Sequence, residues 1–243
     1  MKSLKMQSAN GPAVKSCAVG HLGVLLAGGL AIGAAGLSAQ DAHSFTVDTS
    51  QSRVAISGNI MGAPVHEQGP GSLLAQYGGT IVATVSGNSI QFPGDSRVVA
   101  TISGDWQPLS DGNPGSEPAN YGGTASDFSS TGVAAVRDVE VDVASGTLAL
   151  VDGMFDTQGI TLSIPESAPT SIAYRVQGFF DDSGVAALGG ARASGQSAQG
   201  SLTNVGGEQV LTLPINYRFY FSLMSPNDTA VSLTGLLVAT RRL

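Results

Sequence analysis

The chain has 243 residues, 12% of them charged, with a single cysteine and a net charge of −7. All three lysines and Cys17 lie in the first 39 residues; from residue 40 onward eight arginines face all 18 carboxylates, a net charge of −10. That balance argues against nucleic acid or an anionic membrane surface as a partner, since both need a basic patch, and it leaves no cysteine for an internal disulfide.

Lys2, Lys5 and Lys15 precede an apolar run from His21 to Ala39. A positive start, an apolar stretch and a small residue at the cut site predict a signal peptide over residues 1–39, removed after Ala39. The run is short for a membrane span and rich in glycine. Cys17 lies before it, where no lipid-attachment cysteine would stand. Residues 40–243 are then expected to form a single all-β domain, long enough to bury a core without staples.

Apolar and polar side chains alternate through most of this stretch, and no amphipathic helix is legible. Ser44–Asp48 and Gln51–Ser57 read as strands around Asp48-Thr-Ser. Ser52–Thr80 and Ser96–Thr124 then align without gaps at an offset of 44 residues, with 12 of 29 positions identical. The shared residues are Ser-Arg-Val, a mid-segment Pro, Pro-Gly-Ser, an Ala and Tyr-Gly-Gly-Thr. A third copy is absent, so this is a local pair and no solenoid. Each copy reads as a strand with Arg and Val on opposite faces, a long Pro/Gly loop, and a Tyr before a Gly-Gly turn. The bland reading of the pair is two similar turn anchors. The sharper one is two related loops framing a binding site at one end of a sheet.

Further strands are predicted over Thr80–Ser86, Arg97–Ser103, Val136–Val143, Thr147–Val151, Ile160–Ile164, Ser171–Phe180, Gln209–Leu223 and Thr229–Thr240. Val136–Val143 and Thr147–Val151 are expected to pair as a hairpin around Ser145-Gly146. Leu211, Leu213, Ile215, Tyr217, Phe219, Phe221 and Leu223 share one face. Pro214 among them points to an edge, a bulge or a strand start. Asp181–Gly200 reads as a mobile Gly/Ala/Ser-rich loop, and Trp106–Thr131 as a second long loop. Roughly ten strands so arranged predict an antiparallel β-sandwich or barrel.

Few residues offer chemistry. The ligand-binding candidates are His66, Tyr77, Trp106 and Tyr121, placed by the repeat in or beside its loops. His66-Glu67 reads as a surface loop pair before it reads as a catalytic base, because no second group stands at diagnostic spacing. Two histidines and no cysteine after residue 39 do not make an ordinary zinc site, and no metal or other cofactor is expected. Asp138, Glu140 and Asp142 alternate along one strand face; paired carboxylates can hydrolyse glycosides, yet this spacing reads more simply as a solvated strand surface. Asp111–Glu117 departs from the calcium-loop pattern, and no Gly-x-Ser-x-Gly elbow occurs. Trp106, Tyr121 and Phe128 would suit sugar or peptide stacking if exposed, or would cap the sheet if folded back.

The segments Gln68–Leu73, Tyr77–Ile81, Ile90–Ser96, Trp106–Pro108 and Pro118–Gly122 resemble a group of uncharacterised secreted bacterial proteins, some ending in a PEP-CTERM sorting tail. That resemblance implies export and no known activity; the sorting tail itself does not occur in this sequence. Phe45-Thr-Val-Asp-Thr-Ser-Gln-Ser-Arg-Val54 resembles the opening of YceI-like proteins, with Gln51 where their histidine stands. This second resemblance implies a periplasmic β-barrel that carries a polyisoprenoid lipid. Together the readings predict an exported, noncatalytic binding or surface-associated structural module. Its partner would be a lipid, a glycan or another cell-surface component. A lipid-binding barrel is the main alternative, and a glycan-acting enzyme a further one.

Overall fold

The chain divides into two units, Met1–Ser38 and Ala39–Leu243. The computed structural model describes residues 41–60, 63–67, 76–101, 119–126, 129–178, 181–221 and 229–243, all in the second. Among these described residues the two-residue rhythm becomes eighteen strands and one short 3-10 turn.

In chain order these are β1 (Ala42–Val47), β2 (Arg53–Ile60), β3 (Ala63–Glu67), β4 (Tyr77–Ser86), β5 (Ser89–Gln91) and β6 (Arg97–Ala100). Next come β7 (Tyr121–Ser126), β8 (Ser130–Arg137), β9 (Glu140–Ser145), β10 (Leu148–Ala149), β11 (Met154–Asp156) and β12 (Ile160–Ser163). The last are β13 (Ser171–Gly178), β14 (Asp182–Ala187), β15 (Arg192–Ser194), β16 (Gln199–Val205), β17 (Glu208–Phe221) and β18 (Thr229–Arg242). Every ladder between them is antiparallel, as the sequence predicts.

The ladders close on themselves. β18 pairs with β1, β1 with β4, β4 with β6, β6 with β9, β9 with β12, and β12 with β15. A bridge from Gly195 to Tyr217 and a bond from the Gln196 amide to the Asn216 carbonyl join that end to β17, which pairs with β18. Eight strands thus form a closed barrel, a number whose interior is just wide enough for side chains to fill. Phe45, Ile81, Val98, Val143, Ile160, Leu211 and Leu213 fill it with no accessible surface. Each such burial is worth about 1.5–3 kcal/mol relative to exposure. Leu211 through Phe219 share the buried face, as their spacing predicts.

An open sheet grows from this barrel. β2 continues along the edge of β18 beyond β1, and the order runs on through β3, β7, β8 and β13 to β14. Tyr121, Val136 and Ile172 lie in register across it and pack onto the barrel core.

Several expectations change. Gly78-Gly79 and Gly122-Gly123 lie inside β4 and β7, where they make no turn. Gly79 takes φ +104°, and a Cβ there would collide with the Arg97 carbonyl across the ladder, so glycine serves a close approach of two strands. The strand predicted over Val136–Val143 is broken at Asp138, which has φ +52°. Val136–Val143 and Thr147–Val151 do not form a hairpin. β9 has both edges occupied, by β6 and β12, so Leu148 pairs with Ile90 of β5 instead. The tight turn here is Asp152-Gly153, with both residues at positive φ. Asp181–Gly200, expected as a loop, contains β14, β15 and the start of β16. The loop expected over Trp106–Thr131 holds β7 and the first residues of β8 in its described part.

Pro214 sits in mid-strand. The Leu243 amide bonds the Gly207 carbonyl, which fixes the odd-numbered residues of β17 as those bonded to β18. Pro214, even-numbered, directs its nitrogen to the other side, where the β16 ladder has already ended at the Ser201–Thr212 pair. The missing N–H therefore costs no ladder bond.

Candidate functional site

The two copies of the sequence repeat meet in space. Tyr77 and Tyr121, 44 residues apart, join their hydroxyls in a hydrogen bond. Their rings lie 6.5 Å apart at 36°, and only 3% and 2% of their surfaces are exposed. The Tyr121 hydroxyl also reaches the Val54 carbonyl at 3.4 Å, so the Val of the first copy joins the same knot. Burial pushes the Tyr77 hydroxyl well above the ordinary tyrosine range, opposed by its bond to Tyr121. Of the four ligand-binding candidates these two are therefore core anchors. A ring with so little accessible surface cannot stack on a ligand.

The shared serines and valines also build scaffold. Ser52 is fully buried; its Oγ accepts the Val238 amide at 3.0 Å and donates to the Val238 carbonyl at 3.2 Å. Ser96 Oγ accepts the Val82 amide at 3.0 Å. Both serines thus seal a gap beside a neighbouring strand, and Val54 and Val98 both enter the core. The arginines differ. Arg53 donates from Nη1 to the Thr49 and Ser52 carbonyls at 2.9 Å, whereas Arg97 pairs with Glu140 at 2.9 Å.

His66, expected in a loop, belongs to β3, and its backbone lies opposite Thr124 of β7. The first copy's loop thereby runs beside the second copy's Tyr-Gly-Gly-Thr strand. Trp106 and Phe128 lie outside the described residues, as does Asp111–Glu117.

The carboxylates of β9 are occupied too. Glu140 holds Arg97, and Asp142 Oδ1 accepts the amides of Ser96 at 2.9 Å and Val143 at 2.7 Å. Asp138, at the bend, offers its carbonyl to the buried Thr170 hydroxyl, which in turn accepts the Glu140 amide. Of the expected solvated acidic face Asp138 is exposed, whereas Glu140 and Asp142 tie β9 to its neighbours. Asp48 and Asp156 lie below the ordinary carboxylate range because Ser50 with Gln51, and Gln158 with Ser197, donate to them. Both fix turns. Among the described residues no three His, Cys, Asp or Glu side chains gather as metal ligands would.

One groove, of about 530 Å³, opens where β1 meets the β17–β18 hairpin. His43, Thr46, Glu208, Thr240, Arg241 and Arg242 line it. Arg241 lays its guanidinium 5.4 Å from the centre of the Phe45 ring and donates from Nε to Gln209 at 2.7 Å, capping the barrel core while its head stays wet. Arg242 stands 4.0 Å from Glu208. The strand predicted to end at Thr240 runs on through both arginines in β18. The sign that finds them is the continued alternation Leu237, Ala239, Arg241 on the inner face.

Comparison with family models, curated proteins and solved structures returns no match to this chain.

Proposed function

We propose that the chain is an exported, noncatalytic module that binds to, or helps build, a cell surface or extracellular layer. One observation carries this reading. The residues that make the sequence distinctive, the paired Ser, Val and Tyr of the repeat and the carboxylates beside them, are occupied in holding strands together. The groove beside His43 is the surface such a module would offer to a small polar ligand, with donors from Arg241 and Arg242 and an acceptor from Glu208. Export rests on the leader-like residues 1–39 and on the resemblance to secreted proteins.

The rival reading, a YceI-like lipid carrier, requires a hollow interior. Phe45, Ile81, Ile90, Phe92 and Leu213 have no accessible surface, so none of them borders a space that admits even a water. A glycan-acting enzyme requires two carboxylates facing each other across a cleft, and Glu140 and Asp142 are tied to the second repeat copy instead. Native mass spectrometry of the protein purified from its host tests the proposal. A bare polypeptide mass beginning after Ala39 is expected. A co-purifying polyisoprenoid lipid, or a full-length chain retained inside the cell, would overturn it.

A further inference from the structure

The open sheet ends at β14, and we propose that β14 is a self-association edge at which two copies of this chain join antiparallel. The inference does not depend on what the module binds.

Among the described residues β14 pairs with β13 alone. Asp182, Ser183, Val185 and Ala187 are exposed, and Val185 shows 61% of its surface, unusual for a valine in a strand. The Leu188 amide bonds the Thr170 carbonyl, which marks residues 170 and 188 as a hydrogen-bonded pair of this ladder. Alternation then assigns Gly184 and Ala186 to bonds with β13 and turns the N–H and C=O groups of Ser183, Val185 and Ala187 outward. Natural edges are blunted by lysine, proline, bulges or inward-pointing charge. Ser183–Ala187 carries neither a charge nor a proline.

The partner that fits is a second β14. Laid antiparallel about Val185, the outward residues match one another: Val185 faces Val185 of the second copy, and Ser183 faces its Ala187. The three outward pairs form about six backbone hydrogen bonds, and each exposed valine covers the other. Charge selects this direction. Antiparallel pairing sets each Asp182 opposite Leu188, roughly 20 Å from its twin at the strand rise per residue, well beyond the screening length of about 8–10 Å. Parallel pairing would put the two Asp182 residues about 4.8 Å apart. An interface of one short strand is at the small end of specific contacts, so the association is expected to be weak and concentration-dependent.

Val185→Pro tests it without touching the fold's own ladder, because the Val185 N–H points away from β13. Sedimentation velocity of the full chain over a concentration series should show a reversible dimer. Val185→Pro and Val185→Lys should both weaken it by about tenfold or more, with unchanged circular dichroism. Hydrogen exchange should show the amides of Ser183, Val185 and Ala187 gaining protection as concentration rises, while those of Gly184 and Ala186 are protected throughout. A monomer at all concentrations, or a dimer that both variants retain, would overturn the proposal. So would protection gained at other strands only.

Discussion

The two repeat copies begin alike and end in different surroundings. In the first, Tyr77 opens β4, a barrel strand flanked by β1 and β6. In the second, Tyr121 opens β7, a strand of the open sheet between β3 and β8. Three of the positions that coincide in sequence keep the same task in both places: Ser bonds a neighbouring strand, Val enters the core, and Tyr enters the shared knot, while the shared arginines take different partners. The positions that differ have specialised. The residue before each tyrosine is Gln76 in one copy, whose carbonyl accepts the Thr101 amide and hydroxyl. In the other it is Asn120, buried, whose Oδ1 accepts the Val139 amide at 2.9 Å. Identity between the copies marks what a strand junction needs; divergence marks which neighbours each junction has.

If the knot joins barrel to open sheet, its loss should be the most damaging single change. Tyr77→Ala or Tyr121→Ala should cost about 3–5 kcal/mol, read from urea unfolding, and equal costs would show that the copies depend on each other. Alkali should attack the same place. Tyr77 and Tyr217 both have hydroxyls whose affinity for the proton is raised by burial. The fold therefore keeps its full stability below the ordinary tyrosine value of 10.0 and loses it as pH rises past that value, because the unfolded chain ionises first. The expected slope is about 1.4 kcal/mol per pH unit for each tyrosine above pH 10, measured by denaturation in alkaline buffers.

Smaller changes sharpen the contrast. Tyr77→Phe should destabilise by about 1–2 kcal/mol by removing a buried bond. Tyr217→Phe should be neutral or stabilising by roughly 1 kcal/mol, because the Tyr217 hydroxyl is buried with no hydrogen-bond partner among the described residues. Ser52→Ala should cost more than Ser96→Ala, about 1–3 kcal/mol against about 1, since Ser52 Oγ both donates and accepts. Arg97→Gln should be the mildest, below about 1 kcal/mol, because Arg97 is two-thirds exposed. A large loss there would instead make the Glu140 tie a principal support of the second copy.

Much of the fold was legible because burial leaves a rhythm. The inward face from Leu211 to Phe219, the Ile160–Leu162 pair and the closing strand all follow from period two. β14 and β15 leave no such rhythm, because Asp-Ser-Gly-Val-Ala-Ala and Arg-Ala-Ser have small side chains and little contrast between faces. The partner of β9 was not legible, since spacing alone does not reveal that β6 and β12 hold both its edges. The repeat pointed to Tyr77 and Tyr121 but not to their contact, which depends on two strands in different parts of the sheet network. The groove joins His43 to Arg241 across the β1–β18 pairing, and no local pattern announces that the ends of the domain are neighbours.

That neighbourhood sets a timetable for assembly. β1, the first of the described strands, finds one of its two flanks in β18, the last of them. Until β18 arrives, β2 and β17 also stand with an uncovered side. A topology with partners so distant along the chain is expected to mature slowly, with β1, β2 and β17 each lacking a flank until β18 is made. The fourteen residues of β18 then work as a latch for the strands they flank.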